Sequence, residues 1–234
     1  MRLIGLSGAT DEMELWMRDI DQRLDGDRRG AVPSYSHSHD VTKAVIDLGN
    51  TLVGQGLLSD ATTPEVIVVS AHDAVDVAAL ANRVFSRFGD WSLPFQPSES
   101  DGVIRLAQLS RNILRLVAEN SVSLAVVALN DLFREQPVIL HMSLEAPWSL
   151  HHHDPAHAAV QGWRIGALAA IGDLISSGGW NRIGVCAGAD CNNLFLDDTK
   201  NRSQRFCSYA CQNRAKVRAY RLRQREERVR RVGR

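Results

Sequence analysis

Apolar residues recur at three- and four-residue intervals through most of the first 180 positions, a period that predicts helices. Met13, Trp16, Met17, Ile20 and Leu24 make one stripe over residues 11–25, with Asp11 and Glu14 spaced for a capping box. The run DGDRRGAVPSYSHSHD then reads as a flexible connector. A second helix over about 40–53 carries Val41, Ala44, Val45, Leu48 and Leu52 on one face. EVIVVS, rich in β-branched residues, predicts a strand before a helix near 73–88 that buries Val77, Leu80, Ala81, Val84, Phe85 and Phe88. Pro and Ser around 92–100 break the pattern, and helices near 102–119 and 123–135 follow.

The period then changes. PVILHMSLEAPWSLHHHD reads as a β-hairpin, with strands near 138–144 and 148–153 and a turn at Glu145–Pro147. The clearest helix of the body comes next, capped by Asp154, opened by Pro155 and ended by Gly178-Gly179. There is no internal repeat, heptad run or low-complexity tract. No stretch approaches the roughly 20 apolar residues that span a bilayer, and the N-terminus is not a secretory signal. The expectation is a soluble, cytoplasmic protein with no membrane partner.

Charge divides the chain where hydropathy does not. The formal net charge is zero, yet residues 182–234 hold 14 basic and five acidic side chains, leaving 13 basic and 22 acidic on the rest. A basic tail on an acidic body points to a polyanionic partner. Arginine carries nearly all of the positive charge, since Lys43, Lys200 and Lys216 are the only lysines. Arginine forks onto phosphate and guanine where lysine acts as a point charge.

All four cysteines, Cys186, Cys191, Cys207 and Cys211, fall in this tail with spacing C-x4-C-x15-C-x3-C. Two disulfides or idle thiols are one reading; paired short spacings in a cytosolic chain favour a metal. So short and charged a segment buries little apolar surface, and one structural zinc ion supplies the missing folding free energy. Cys186 and Cys191 bracket a Gly-containing knuckle. NNLFLDD and SQRFC flank a polar turn and read as a short hairpin; Cys207 falls at a helix start, with Cys211 one turn on. Such a closed tetrahedral site leaves no position for catalytic water. Beyond it, Arg214, Arg218, Arg221, Arg225 and Arg228 fall within about 80° of one another on a helical wheel. Ala215, Ala219, Leu222 and Val229 form an apolar stripe broken by Glu226, and Lys216, Arg223 and Arg230 line a third face. A solvated charged helix or basic tail is the plain alternative. Scarce acidic partners and the self-repulsion of the arginine stripe count against it.

Segment 183–221, through its cysteines and through LFLDDTKNRSQRFCS and NRAKVRAYR, resembles the zinc finger of the CGNR zinc-finger proteins. These are bacterial proteins regarded as stress-induced transcription regulators. The naming tetrapeptide is altered here to Cys211-Gln212-Asn213-Arg214, glutamine replacing a glycine that can permit positive φ. VIDLGNTL at 45–52 and LHHHDPAH before the long helix resemble the opening and end of the ABATE domain that usually precedes this finger. The resemblance implies DNA binding and transcription regulation.

The expected fold is α+β and mostly α. It has an N-terminal extension and linker at 1–35, an ABATE-like helical domain with a small hairpin at 36–180, and a treble-clef-like four-cysteine finger with a basic helix at 183–234. Arg214, Lys216, Arg218, Arg221, Arg223 and Arg225 are the expected DNA contacts, mainly to phosphate, with Gln212 and Asn213 as candidates for base edges. A homodimer reading paired half-sites is expected. RNA is the rival polymer, disfavoured by the small supply of aromatic platforms at Phe195, Phe206, Tyr209 and Tyr220. An enzyme is not expected, since no phosphate loop, nucleophile elbow or trusted carboxylate pair is present. The rival here is a metal-dependent enzyme using His151, His153 and His157, against which a polar strand end is the simpler reading. Asp47 and Asn50, with His151 and His153, are candidates to line an effector pocket. Asp47 and Asn50 can equally satisfy buried backbone groups nearby.

Overall fold

The structure is a computed structural model that describes residues 34–58, 76–88, 94–136, 138–142, 150–152 and 158–232. Its helices are α1 (Ser34–Gly54), α2 (Val77–Phe85), α3 (Ser100–Ala118), α4 (Val122–Glu135), α5 (Ala159–Ser176) and α6 (Tyr209–Val232). Two antiparallel pairs complete it: β1 (His141–Met142) with β2 (Leu150–His151), and β3 (Ile183–Val185) with β4 (Leu194–Leu196). The chain is mostly helical with small sheets, as the apolar period requires. The helix expected over 11–25, the strand in EVIVVS and the turn at Glu145–Pro147 lie outside the described residues.

α1 is the centre of the body and packs against α3 and α5. Ala44, Leu48 and Leu52, one face of α1, are fully buried, as are Val103, Ala107 and Leu114 of α3 and Ala167 and Ile171 of α5. Each large aliphatic side chain buried this way contributes about 1.5–3 kcal/mol. A satellite cluster closes the far end, where Phe85 of α2 stacks on Trp163 of α5 with ring centroids 4.2 Å apart and Phe95 leans on both. Asn82 holds Phe95 there by both ends of its amide, donating to the Phe95 carbonyl at 3.0 Å and accepting from its N–H at 2.8 Å.

α1 begins at Ser34, inside the stretch expected to be a connector, and two further features differ from expectation. α5 begins at Ala159, after an extended Ala158, and not at Pro155; Asp154 and Pro155 themselves lie outside the described residues. The cap comes from another element, since Glu99 Oε1 accepts from the Val160 N–H at 3.0 Å. Val160 also crowds Gly102 of α3, where a Cβ would stand 2.8 Å from a Val160 methyl. A tertiary contact, not local cap chemistry, fixes this start. α5 then ends as predicted, with Gly178 at φ +78°.

The second correction concerns the finger. NNLFLDD does not pair with SQRFC. Instead β4 pairs with β3, in register Ile183 to Leu196, Gly184 to Phe195 and Val185 to Leu194. Drawing Cys186 and Cys191 together turns the knuckle into the hairpin's end, so the strands on either side of it must lie alongside. All three residues of β4 are buried. Ile183, Leu194 and Leu196 belong to the same apolar core as the helical body, beneath α1 and α3.

Candidate metal centre and basic helix

Local bonds build the cysteine cluster from three pieces of chain. The hairpin ladder continues through Cys186 N–H to Asn193 O at 2.8 Å, which presents Cys186 and Cys191 on one knuckle. The segment before α6 joins the knuckle through Ala187 N–H to Arg205 O, also 2.8 Å. Ser208 then starts α6 as an N-cap, its Oγ accepting from the Cys211 N–H at 3.2 Å. Cys207 therefore lies just before the helix, not in its first turn as spacing implied, and Cys211 alone is on it.

The four Sγ atoms all lie within 4.8 Å of one another, the one such group of potential metal ligands among the described residues. Cys207 Sγ is 3.7 Å from Cys191 Sγ and 3.6 Å from Cys211 Sγ. Four sulfurs each about 2.3 Å from a common ion stand about 3.8 Å apart in a tetrahedron. A disulfide would bring two of them to about 2.05 Å. The donor set fits zinc and excludes the disulfide reading.

Its electrostatics say the same. Burial, followed by the neighbouring sulfurs, pushes the Cys207 thiol up to about 12, and burial also raises Cys191. Cys211 is drawn down to about 7, first by the Ser208 hydroxyl and then by the other thiols. Four sulfurs this close cannot all ionise by themselves, and a divalent cation at their centre removes the conflict. The surroundings are arranged for negative sulfur. Gly188 N–H and Cys207 N–H point to Cys186 Sγ at 3.4 and 3.3 Å, and Arg214 Nη2 stands 2.9 Å from Cys211 Sγ. These four cysteines form one structural zinc site.

The loop after β4 is tied down twice. Asp197 is buried and accepts from the Thr199 N–H at 2.7 Å, the Thr199 hydroxyl at 2.6 Å and the Gln204 N–H at 2.9 Å. Burial alone would raise its pKa, but these bonds and nearby Arg182 hold it below the ordinary value. Asp198 receives His39 Nε2 at 2.7 Å and Lys43 Nζ at 2.5 Å, both from the start of α1. Burial works against Asp198 too, yet Lys43 and His39 keep its pKa depressed.

Asn50 answers one of the questions raised by VIDLGNTL. Its Nδ2 donates to the Leu194 carbonyl at 2.8 Å and its Oδ1 accepts from the Leu194 N–H at 3.0 Å, so the amide behaves as one more rung beside β4. Arg111, buried on α3, donates to the same Oδ1 at 3.0 Å and to the Asn192 carbonyl at 2.9 Å, one residue from Cys191. Arg115 reaches that carbonyl at 3.3 Å. Asp47 is half-buried, and burial raises its pKa while Arg87 and Lys43 pull it back. The backbone of His151 pairs with that of His141 in β2 and β1; His153 and His157 lie outside the described residues.

The expected nucleic-acid contacts Arg214, Lys216, Arg218, Arg221, Arg223 and Arg225 are all exposed along α6, and Arg214 also bonds Cys211 Sγ. Sequence reasoning missed Arg111, Asn192 and Asp198. Arg111 did leave a signal, a charge among Ile104, Ala107 and Leu114 on the apolar face of its helix.

The fold and the site together define a zinc-binding protein, a four-cysteine finger set into a helical body. The family model of the CGNR zinc finger matches residues 182–224, covering the knuckle, the cysteines and the first part of α6. No curated protein matches the chain. Among the described residues no helix is long and apolar enough to cross a membrane.

Proposed function

We propose that the protein is a DNA-binding transcription regulator in which the zinc centre fixes α6 as the docking element. One observation carries the reading. α6 holds nine arginines and lysines against two glutamates over 24 residues, and every side chain from Lys216 to Arg231 is exposed. A rod of like charge gains most when a polyanion neutralises it, and an α-helix has the width of the major groove. Arg218, Arg221 and Arg225 share the stripe that would track phosphates, with Lys216 and Arg223 on the neighbouring face. Arg214 would link the polymer to the metal centre.

The resemblance of 45–52 and of the run before α5 to ABATE supports a sensing or oligomerising role for the body. It also supports a place in a cytoplasmic stress response, as a homodimer with an effector of unknown structure. RNA is the second reading, favoured by the exposed rings of Tyr209 and Tyr220. Gel retardation of duplex DNA, duplex RNA and single strands separates the two. Duplex DNA is expected to bind best and, for four phosphate contacts, to weaken about 10²-fold between about 50 and 200 mM salt. No retardation of any polymer at the lower salt would overturn the reading.

A further inference from the structure

We propose that the face of α6 turned away from the zinc centre is a base-reading strip, in which Asn213, Val217, Tyr220 and Gln224 set a sequence preference on duplex DNA. This use of the strip rests on the DNA-binding function proposed above. Each residue turns an α-helix by about 100°. Measured from the metal ligand Cys211, the side between about 160° and 240° carries Tyr209, Asn213, Val217, Tyr220 and Gln224. As far as Gln224 it holds no charge; Glu227 and Arg231 come only beyond it.

Two basic rows bound this strip. Arg214, Arg218, Arg221, Arg225 and Arg228 stand on one side of it, and Lys216, Arg223 and Arg230 on the other. Each row is centred roughly 80–100° from the strip's midline. Duplex DNA offers two rails of phosphate with base edges between them in the major groove. A helix lying there with the strip inward gives one basic row to each rail. The opposite side of α6 also lies between the rows, but the finger stands on it. Cys211 and Ala215 share a cavity there with Gly188, Ala189 and Asp190 of the knuckle, and Glu226 follows on the same side.

The strip is made of groups that suit base edges. Amide side chains pair with adenine N6 and N7, and apolar ones meet the thymine methyl. The amides of Asn213 and Gln224 have no hydrogen-bond partner among the described residues. Val217 and Tyr220, between them, are 48% and 57% exposed. Asn213 to Gln224 spans about 16 Å along the axis, the rise of about five base pairs. Gln212, the altered residue of the tetrapeptide, falls on the Lys216 side and belongs with the backbone contacts.

Selection of duplexes from a randomised library by the full, zinc-loaded chain tests the strip. The expected product is a preferred A·T-rich site of about five base pairs. At that site Gln224→Ala should bind roughly tenfold more weakly and lose its preference at one position, while keeping its affinity for unrelated duplex. Gln224→Glu should move the preference at that position from adenine to cytosine. Arg223→Ala should instead weaken every duplex alike and lower the salt slope by about one. Binding without base preference, or a preference that survives Gln224→Ala unchanged, overturns the strip and leaves the DNA reading standing. Tighter binding of RNA or single strands, or no binding of duplex DNA at all, overturns both.

Discussion

The two halves of the finger are held by different physics. Its first half, β3, the knuckle and β4, is built into the body: Ile183, Leu194 and Leu196 share the body's core, and Asn50 and Arg111 bond its backbone. Its second half, α6, leaves the body after about two turns and is exposed from Lys216 onward. The metal joins them, two ligands on the welded half, one just before the helix and one on it. Zinc therefore has less to do for the hairpin, which the core already folds, than for α6, whose side chains from Lys216 to Arg231 are exposed among the described residues. A long helix with so poor a core cannot nucleate cheaply alone, and a fixed first turn removes that cost.

Removing the metal breaks the comparison most severely. Cys211→Ser, or chelation of the native protein, should abolish the bound zinc and melt much of the 24-residue α6 while the body's helices persist. Metal analysis with far-ultraviolet circular dichroism reads both effects, and equal loss of helix from the body would show that the halves are not so separable.

Asn50→Ala attacks the welded half. It strips Leu194 of two bonds and takes one of several bonds from the buried Arg111, at a cost of about 2–4 kcal/mol in urea unfolding. Zinc should also exchange faster, since Arg111 steadies the Asn192 carbonyl beside Cys191. Gly184→Ala is a milder blow to the same half. Its Cβ would stand 2.6 Å from Phe195 Cζ, so the ring must move, for about 1–3 kcal/mol by thermal or urea unfolding.

The smallest effect concerns pH. Because Asp197 titrates below its ordinary value in the folded protein, its contribution is complete above the unfolded value near 4 and is lost as pH falls through the folded one. Asp197→Asn puts an amide where the Gln204 N–H donates. Stability should drop at neutral pH and depend less on pH below about 4, as followed by melting temperature against pH.

Much of this was legible one residue at a time. Periodic Leu48, Leu52, Ile104 and Ile171 announced helices because an amphipathic helix must place its apolar side chains every three or four positions. Cysteine spacing announced the metal because ligands must converge on one ion. The partner of β4 was not legible, since LFLDD can pair forward or backward and only closure of the knuckle chooses. Nor was the start of α5, where Asp154-Pro155 offered a good local cap and Glu99, from a distant turn, supplies the observed one.

Asn50 shows the same divide. Sequence placed a polar amide on an apolar helix and left two uses open. Packing then put the Leu194 backbone within reach, as it put Phe95 within reach of Asn82. By itself the sequence determined helical content, the four ligands and the concentration of positive charge in the tail, all properties of local order and composition. Only the tertiary structure decided that half of the finger shares the body's core and half stands clear, because that depends on which distant surfaces meet when apolar area is buried.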